Sequence, residues 1–276
     1  MRVNFYGVRG SCPCPSQANR RYGGNTACVA LQVKDEPPII FDLGTGLRCF
    51  GDAQQPTQPF EGTALVTHIH WDHVQGLPFF SPIHRPGARL DIYGPVQQEG
   101  PLADVFGDFM RPPYFPVHFS DLQGEVQFHD TYEDDLAVGN AKVRVRPVPH
   151  CGPTVGYRVD WDGATVAYIS DHQAPLSLDT VADSVLELCD GADLLIHDAQ
   201  YTPTEFGAKA DWGHCTVDYA LLVAREAGAK ALALFHHDPA HDDDMVDRLL
   251  AEAQTASDRV DGPRVLAAAE GLTLDL

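Results

Sequence analysis

Short apolar runs separated by turn residues fill the first 170 positions of the chain, and this pattern predicts β-strands. The runs that we predict as strands are Val3–Val8, Ala27–Val33, Ile39–Asp42, Ala64–Thr67, Asp91–Tyr93, Val126–His129, Lys142–Val148, Val155–Trp161 and Thr165–Ser170. The dipeptide Asp162-Gly163 predicts a tight hairpin between the last two strands.

After residue 175 the pattern changes to helices that alternate with strands. The predicted helices are Asp179–Leu188, Thr216–Ala227 and Asp243–Thr255, and the predicted strands are Asp193–His197, Ala231–Phe235 and Val265–Ala268. Thr216 is a suitable N-cap and Gly228 a suitable C′ residue for the helix between them. Central sheets with helices outside predict an α/β layered fold. No position reads as a domain boundary, so we expect a single domain over residues 1–276.

The segment around 97–125 breaks this regularity. Residues 106–116 are aromatic and proline-rich without clear periodicity. We predict a short helix followed by a surface loop, which is typical of a lid-like insertion. The same segment would also suit a dimer interface.

Composition limits the range of partners. The 276 residues are 44% apolar and 21% charged, as in ordinary globular proteins. Nineteen basic residues against 39 acidic ones give a net charge of −20. This charge disfavours a long nucleic acid and an anionic membrane as partners, and it favours a small-molecule substrate.

Cysteine usage and the first residues indicate a compartment. The seven cysteines are an odd number and are scattered, which is typical of reduced thiols. The sequence shows no signal-peptide pattern at Met1–Tyr6 and no run of 18 apolar residues. We therefore predict a cytoplasmic location without membrane association.

Four metal-ligand side chains lie within six residues after the strand that ends at Thr67. They are His68, His70, Asp72 and His73. His68 and His70 are two positions apart on extended chain, so both rings point to one side. Packed together without a metal these groups would be poorly satisfied, whereas imidazole and carboxylate ligands suit zinc, manganese or iron.

Further ligand candidates end other apolar runs: His150, Asp171, His197 and His236. Functional sites in layered α/β folds collect where strands end. Adding His150, Asp171 and His236 to the first four gives seven ligands, which fits two ions that share a bridging carboxylate. His237 competes with His236, and we prefer His236 because it comes first after the strand.

The order His68-x-His70-x-Asp72-His73, His150, Asp171, His236 resembles the metallo-β-lactamase superfamily of metallohydrolases. The turn Asp42-Leu43-Gly44 is similar to an early turn of that fold. The resemblance implies a four-layer αββα sandwich. It also implies that His68, His70 and His150 bind one ion, that Asp72, His73 and His236 bind the other, and that Asp171 bridges. Zn²⁺ is the expected metal of both sites, with Mn²⁺ as the alternative.

Three elements resemble the phosphodiesterase branch that includes the tRNA 3′-processing endonucleases, ribonuclease Z: 168–171, 197–199 and 213–216. The segments 7–11, 22–26 and 114–117 resemble a compact subgroup near the phage anti-Pycsar cyclic-nucleotide phosphodiesterases and their bacterial relatives. The resemblance implies hydrolysis by attack of a metal-bridging hydroxide, and a homodimer.

Phosphodiester cleavage also needs a proton donor that is not a metal ligand. We predict that His214 is this acid, because the resembling family positions a histidine in the same element, and that Asp198 orients it. Asp72 would steer the attacking water. Tyr114 and Phe115 are candidates to stack a nucleobase, and Asn25 is a candidate substrate contact in a glycine-rich turn.

These observations predict a dinuclear phosphodiesterase for a small phosphodiester, with a cyclic nucleotide as the leading substrate. The alternatives are a tRNA 3′-processing endonuclease, a hydrolase of another small cyclic phosphate ester, a thioester or lactam hydrolase, and a non-enzymatic metal sensor. The region 172–195 is too short and too acidic for the long tRNA-clamping arm of ribonuclease Z.

Overall fold

A computed structural model describes residues 1–55 and 57–276. Within these residues fourteen strands form two seven-stranded sheets. The first sheet contains, in spatial order, β14 (Thr273–Asp275), β1 (Arg2–Gly7), β2 (Cys28–Gln32), β3 (Ile39–Phe41), β4 (Glu61–Leu65), β5 (Arg89–Gly94) and β6 (Glu125–Asp130). The second contains β13 (Arg264–Ala267), β12 (Ala231–Phe235), β11 (Leu194–Asp198), β10 (Ala164–Ile169), β9 (Val155–Trp161), β8 (Ala141–Pro147) and β7 (Asp135–Val138).

Both sheets are mixed. Strands β3 to β6 are parallel, as are β10 to β13, and the remaining neighbours are antiparallel. The α-helices of the described chain are α1 (Gly46–Asp52), α2 (Trp71–Val74), α3 (Leu102–Phe109), α4 (Asp183–Cys189), α5 (Pro203–Lys209), α6 (Val217–Glu226) and α7 (Asp243–Asp258).

Three packed cores define four layers. The central core lies between the two sheets, where Phe41 of β3 stacks on Tyr168 of β10 with ring centroids 4.5 Å apart. A second core packs α4, α6 and α7 on the outer face of the second sheet. A third packs α1 and α3 on the outer face of the first. Sheets that are apolar on both faces need this double cover. The predicted αββα sandwich is confirmed.

The predicted strands are all present, with ends that differ by at most three residues. The hairpin at Asp162-Gly163 forms, because Trp161 pairs with Ala164 across it. Thr216 caps α6 by accepting a hydrogen bond from the Tyr219 amide, and Gly228 follows the helix with φ 63°. Helix α4 begins at Asp183, four residues later than predicted, because the chain before it stays extended at Ala182.

The connection between β5 and β6 carries the insertion predicted at 97–125. It forms α3, as the predicted short helix, and then an irregular segment that ends at a single 3₁₀ turn, Phe119–Asp121. Buried Leu102 and Phe106 hold α3 against the first sheet. The following segment runs past the exposed ring of Phe79, which Phe115 meets at 5.9 Å.

Candidate metal centre

The run from His68 to His73 begins shortly after β4 ends at Leu65. Its second half lies in the one-turn helix α2, which begins at Trp71. His70 is the extended residue before this turn, and Asp72 and His73 lie inside it. Extended chain followed by a helical turn points these side chains toward one volume. His68, Asp72 and His73 are buried, whereas His70 is exposed.

Three residues from the second sheet complete the centre, each just beyond a strand end. They are His150 after β8, Asp171 after β10 and His236 after β12. His150 joins His68 and His70 in one group whose ligand atoms lie within 4.8 Å of one another, and His236 joins Asp72 and His73 in another. Asp171 groups with His68 and His73 as well. The structure thus brings the side chains of all seven candidate ligands close together.

Asp171 lies between the two groups. Its Oδ2 is 3.8 Å from Nε2 of both His68 and His150, and its Oδ1 is 3.2 Å from His73 Nε2. Oδ1 is nevertheless buried and makes no well-aligned hydrogen bond within the described residues. A buried carboxylate oxygen without a partner is costly, and a bridging cation would satisfy it. The donor set therefore fits a pair of divalent ions, and the His and Asp clusters indicate divalent metal binding.

Most of these groups have the charge state that metal binding needs. His73 is the exception, because burial disfavours its charged ring but the carboxylates of Asp72, Asp171 and Asp42 outweigh burial and hold its pKa well above the usual value. Burial lowers the pKa of His68, His70 and His150, so their rings are neutral near pH 7, which is the form that binds metal. Burial favours the neutral forms of Asp72 and Asp171, but the surrounding imidazoles outweigh it and hold both carboxyl pKa values well below their usual range. Neutral imidazoles and ionised carboxylates are thus both available as ligands.

Asp42 orients the candidate ligand His73 by binding the ring nitrogen that faces away from the cluster. Its buried carboxylate accepts hydrogen bonds from His73 Nδ1 at 2.8 Å, from the Tyr168 hydroxyl at 2.8 Å and from the Thr67 amide at 2.8 Å. A partner on the second ring nitrogen fixes the tautomer and leaves Nε2 for a metal. The sequence suggested only a turn at Asp42, although a carboxylate directly after the buried strand β3 was a usable signal.

Gln200 and the backbone of Ser11 orient the other side of the centre. His236 Nδ1 donates to Gln200 Oε1 at 2.8 Å, and the Ser11 amide donates to Asp72 Oδ2 at 2.7 Å. Sequence reasoning missed both residues, and Gln200 lies 36 positions from its partner. The local pattern at Ser11 gives no sign that its amide faces a carboxylate.

The structure separates His236 from its neighbour His237. His236 Nε2 lies 3.1 Å from Asp72 Oδ2, inside the cluster. His237 points elsewhere and bonds the Ala268 carbonyl through Nε2 at 2.9 Å. His237 forms an isolated parallel β-bridge with Arg9, and this bridge holds the loop after β12 in place. Only His236 is placed to bind metal.

His214 lies at the edge of the centre with its own carboxylate partner. Its Nδ1 is 3.0 Å from Asp198 Oδ2, and its ring stacks on that of His236 with centroids 5.0 Å apart. Burial disfavours the charged ring, but Asp198, with help from Asp171 and Asp72, outweighs it, so the pKa of His214 is raised. His214 is therefore protonated over a wider pH range than an ordinary histidine.

Backbone amides hold Asp198 in turn. Oδ2 accepts from the His172 amide at 3.1 Å and Oδ1 from the Gln200 amide at 3.0 Å. His197, the other strand-end candidate, lies away from the ligand cluster and meets Nδ1 of His172 at 3.1 Å. Burial lowers the pKa of both rings, so this pair is neutral. The structure gives His197 a packing role beside Asp198.

The three predicted substrate contacts differ in their surroundings. Tyr114 is 72% exposed, and Phe115 is partly buried against Phe79. The amide of Asn25 already bonds Glu270, with Nδ2 to Oε2 at 2.9 Å. All three roles stay predictions, and the side chain of Asn25 has the least freedom to meet a ligand.

The sequence profile described as a β-lactamase superfamily domain matches residues 39–237. Ribonuclease Z of Natronomonas pharaonis is 26% identical over 86% of this chain and 86% of that protein. The crystal structure of human tRNase Z, short form, shares 21% identity with this chain and has a TM-score of 0.73, over 100% of this chain and 99% of that one. A diphosphatase from the PhnP family has a TM-score of 0.71 at 20% identity, over 100% and 97%.

These matches confirm the predicted resemblance to the ribonuclease Z-like branch, and the solved structures confirm the fold. The narrower resemblance to the compact cyclic-nucleotide subgroup stays a prediction. Among residues 1–55 and 57–276, no helix has the length and apolarity required to cross a bilayer.

Proposed function

This chain belongs to the metallo-β-lactamase superfamily and is a metal-dependent hydrolase, and we propose that it is a dinuclear phosphodiesterase whose substrate is a small phosphodiester, with a cyclic nucleotide as the leading candidate. The observation that carries the proposal is the pair His214–Asp198. The pair places an imidazole with a raised pKa 3.7 Å from the central Asp171, and cleavage of a phosphodiester needs such a donor to protonate the leaving alkoxide.

In this proposal His68, His70 and His150 would hold one ion, Asp72, His73 and His236 would hold the other, and Asp171 would serve both. Zn²⁺ is the proposed metal, and Mn²⁺ is the alternative for a site made only of nitrogen and oxygen ligands. When bound, two such ions lower the pKa of water and neutralise the oxygens of a phosphoryl group.

The chain's own residues supply the rest of the mechanism. Asp72 directs the attacking water, and the Ser11 amide restrains its carboxylate at 2.7 Å. His214 delivers a proton from Nε2, the nitrogen that does not face Asp198, to the leaving oxygen. Asp198 keeps the ring charged and fixes its orientation, because a buried carboxylate stabilises the imidazolium.

Charge and shape favour a small substrate. The net charge of −20 repels long polyanions. Residues 172–195 form only an irregular stretch, the seven-residue helix α4 and the start of β11, which leaves no room for a long protruding arm. All seven cysteines of the described chain are unpaired, which supports a reducing, cytoplasmic location.

A homodimer belongs to the proposal as well. Trp71, Phe79 and Tyr114 are 63%, 60% and 72% exposed, and large apolar side chains grouped near one segment favour an interface. Light scattering on purified protein would measure the mass, and a monomer at all concentrations would remove this part of the proposal.

A tRNA 3′-processing endonuclease is the second candidate. It is favoured because ribonuclease Z relatives match over most of their length, 86% in the case of the archaeal protein. Cleavage of a 3′-extended tRNA precursor without turnover of cyclic nucleotides would establish this activity instead.

The His214→Ala variant tests the proposal. We expect kcat on the substrate to fall by about 10²- to 10⁴-fold, the usual contribution of a general acid, while the metal content stays at two ions per chain. His84→Ala is the matched control, because His84 is an exposed histidine whose ring bonds the Pro78 carbonyl, away from the metal ligands. Loss of metal in His214→Ala would instead make His214 a ligand, since it also groups with Asp171 and His236. Unchanged turnover would point to an ester, thioester or lactam substrate.

A further inference from the structure

A cavity of about 310 Å³ opens beside the end of the metal centre that His68 and His70 form. Its volume lies at the small end of the range for ligand pockets, so it suits one compact ring system rather than a chain of nucleotides. Neither the mechanism nor the predicted substrate contacts use this space.

The cavity has an apolar part. Ile69, Val105 and Pro153 contribute aliphatic surface, from the metal-binding loop, from α3 and from the loop after His150. Apolar surface of this kind favours the face of a planar ring, because burial of the ring face is driven by the hydrophobic effect. The three residues belong to separate parts of the chain, and the fold alone brings them together.

The cavity also has a polar part, the short loop Gln97–Gly100. Backbone hydrogen bonds in both directions between Gln97 and Gly100, at 3.1 and 3.3 Å, hold the loop in a tight turn. Gln98 and Glu99 line the cavity and are exposed, and within the described chain their side chains make no hydrogen bond to protein. Both side chains are therefore available to a ligand, on a backbone that is already ordered.

We propose that this cavity, rather than the rings of Tyr114 and Phe115, binds the nucleobase of the substrate. In this proposal Glu99 selects a base edge with adjacent hydrogen-bond donors, as guanine presents at N1 and its exocyclic amine. An ionised carboxylate only accepts hydrogen bonds, so it favours such an edge over the acceptor-rich edge of uracil. The proposal rests on the proposed phosphodiesterase function, since the phosphodiester must reach the ions while the base occupies the cavity.

The first test compares Glu99→Gln with wild type on cyclic GMP, cyclic UMP and the base-free diester bis(4-nitrophenyl) phosphate. We expect kcat/KM on cyclic GMP to fall about tenfold, as for loss of one bidentate contact to a base, with turnover of the base-free diester unchanged. Glu252→Gln is the control, because Glu252 is exposed on α7. Both variants change exposed side chains, so the fold is preserved.

A second test reads binding without turnover. Cys151 lines the cavity and is exposed, and Cys12 is exposed but is not part of the cavity lining. Guanosine, which carries no phosphate, should slow alkylation of Cys151 by iodoacetamide in metal-free protein and leave Cys12 unaffected. Mass spectrometry of the two peptides gives the rates. Glu99→Gln should weaken the protection, and uridine should protect less than guanosine.

The outcomes separate this inference from the proposed function. Turnover of all diesters with equal kcat/KM in wild type and Glu99→Gln, and no protection of Cys151, would overturn the base site while leaving the phosphodiesterase intact. No hydrolysis of any diester would overturn the proposed function, and protection of Cys151 by guanosine would still establish the base site.

Discussion

Asp198 acts on the proposed chemistry only through His214, 3.0 Å away. Its carboxylate is fully buried and is held by two backbone amides, so it has little freedom to take another position. A fixed charge at this distance both orients the ring and keeps it protonated. Asp198 is therefore a positioning residue, and its effect should be visible in the pH profile.

The Asp198→Asn variant should keep two metal ions and lose at least about tenfold in kcat. Because Asp198 raises the pKa of His214, removing its charge lowers that pKa. The acid form is then lost earlier on raising the pH, so the alkaline limb of the kcat/KM profile should move to lower pH. A profile that keeps its wild-type alkaline limb would show that His214 is not the proton donor.

His237 carries a second pH effect, on stability rather than on catalysis. Burial lowers the pKa of His237 to about 3, against an ordinary value near 6.5. The unfolded chain therefore binds a proton that the folded chain does not, so this contribution is complete above pH 6.5 and is lost as the pH falls toward 3. Between pH 7 and pH 5 the loss is about 2 kcal/mol.

Urea unfolding of metal-free wild type and His237→Gln at pH 7 and pH 5 measures the contribution of His237 to the free energy of unfolding. Glutamine can keep a hydrogen bond to the Ala268 carbonyl, but it does not titrate. We expect the variant to lose about 2 kcal/mol less than wild type between the two pH values. Equal losses would mean that His237 is not held neutral in the folded chain.

At the scale of elements, the turn between α5 and α6 packs against the metal centre. Gly213 has φ +93° there, and its carbonyl accepts a hydrogen bond from His150 Nδ1 at 2.7 Å. A Cβ on Gly213 would overlap the ring of His150. The turn therefore sets the position of one ligand and also carries His214 in the next position.

Gly213→Ala should lower the affinity for one of the two ions and reduce kcat, because the His150 ring must move. Gly207→Ala is the matched control, since a Cβ at this helical position of α5 meets nothing within 4 Å. Metal titration followed by elemental analysis measures both variants. Two ions bound at wild-type affinity in Gly213→Ala would contradict this packing argument.

The sequence predicts the interior strands well, because each is a short apolar run between turn residues. It misses β7 and β14, which are edge strands of four and three residues and are only partly buried. It also misses α5, although Thr202 and Glu205 form a capping box there with Pro203 between them. This capping box is a local sequence signal for the start of α5.

The sequence singles out the candidate ligands because four of them lie in one run after a strand and the other three, His150, Asp171 and His236, each end an apolar run. The residues that orient these ligands could not be predicted from the sequence. Asp42 and His73 are 31 positions apart, and Gln200 and His236 are 36 apart. Such pairs depend on how strands of different register meet, which is a tertiary property. The preference for His236 over His237 needed the loop geometry after β12 for the same reason.

At the scale of the whole molecule, the metal centre lies where the two sheets meet. The run 68–73 follows β4 of the first sheet, whereas His150, Asp171 and His236 follow strands of the second. Ions held by both sets would connect the sheets, in addition to the central core between them. Metal binding should therefore be linked to global stability.

Chelation tests this linkage. Each ion present at about 100 times its dissociation constant should add about 2.7 kcal/mol to the free energy of unfolding. We expect the melting temperature to fall on removal of metal, and readdition of Zn²⁺ to restore it. Asp171→Asn, which weakens both sites, should show a smaller metal-dependent shift. A melting temperature that does not respond to chelation would contradict a centre that spans the sheets.

Turnover of a substrate panel by the metal-loaded protein tests the central claim most directly. The panel contains cyclic mononucleotides, 2′,3′-cyclic nucleotides, cyclic dinucleotides and a 3′-extended tRNA precursor, with products resolved by chromatography. We predict conversion of cyclic mononucleotides that is abolished in Asp72→Ala, and no cleavage of the tRNA precursor. Cleavage of the precursor alone, or no turnover of any phosphodiester, would contradict a small-molecule phosphodiesterase.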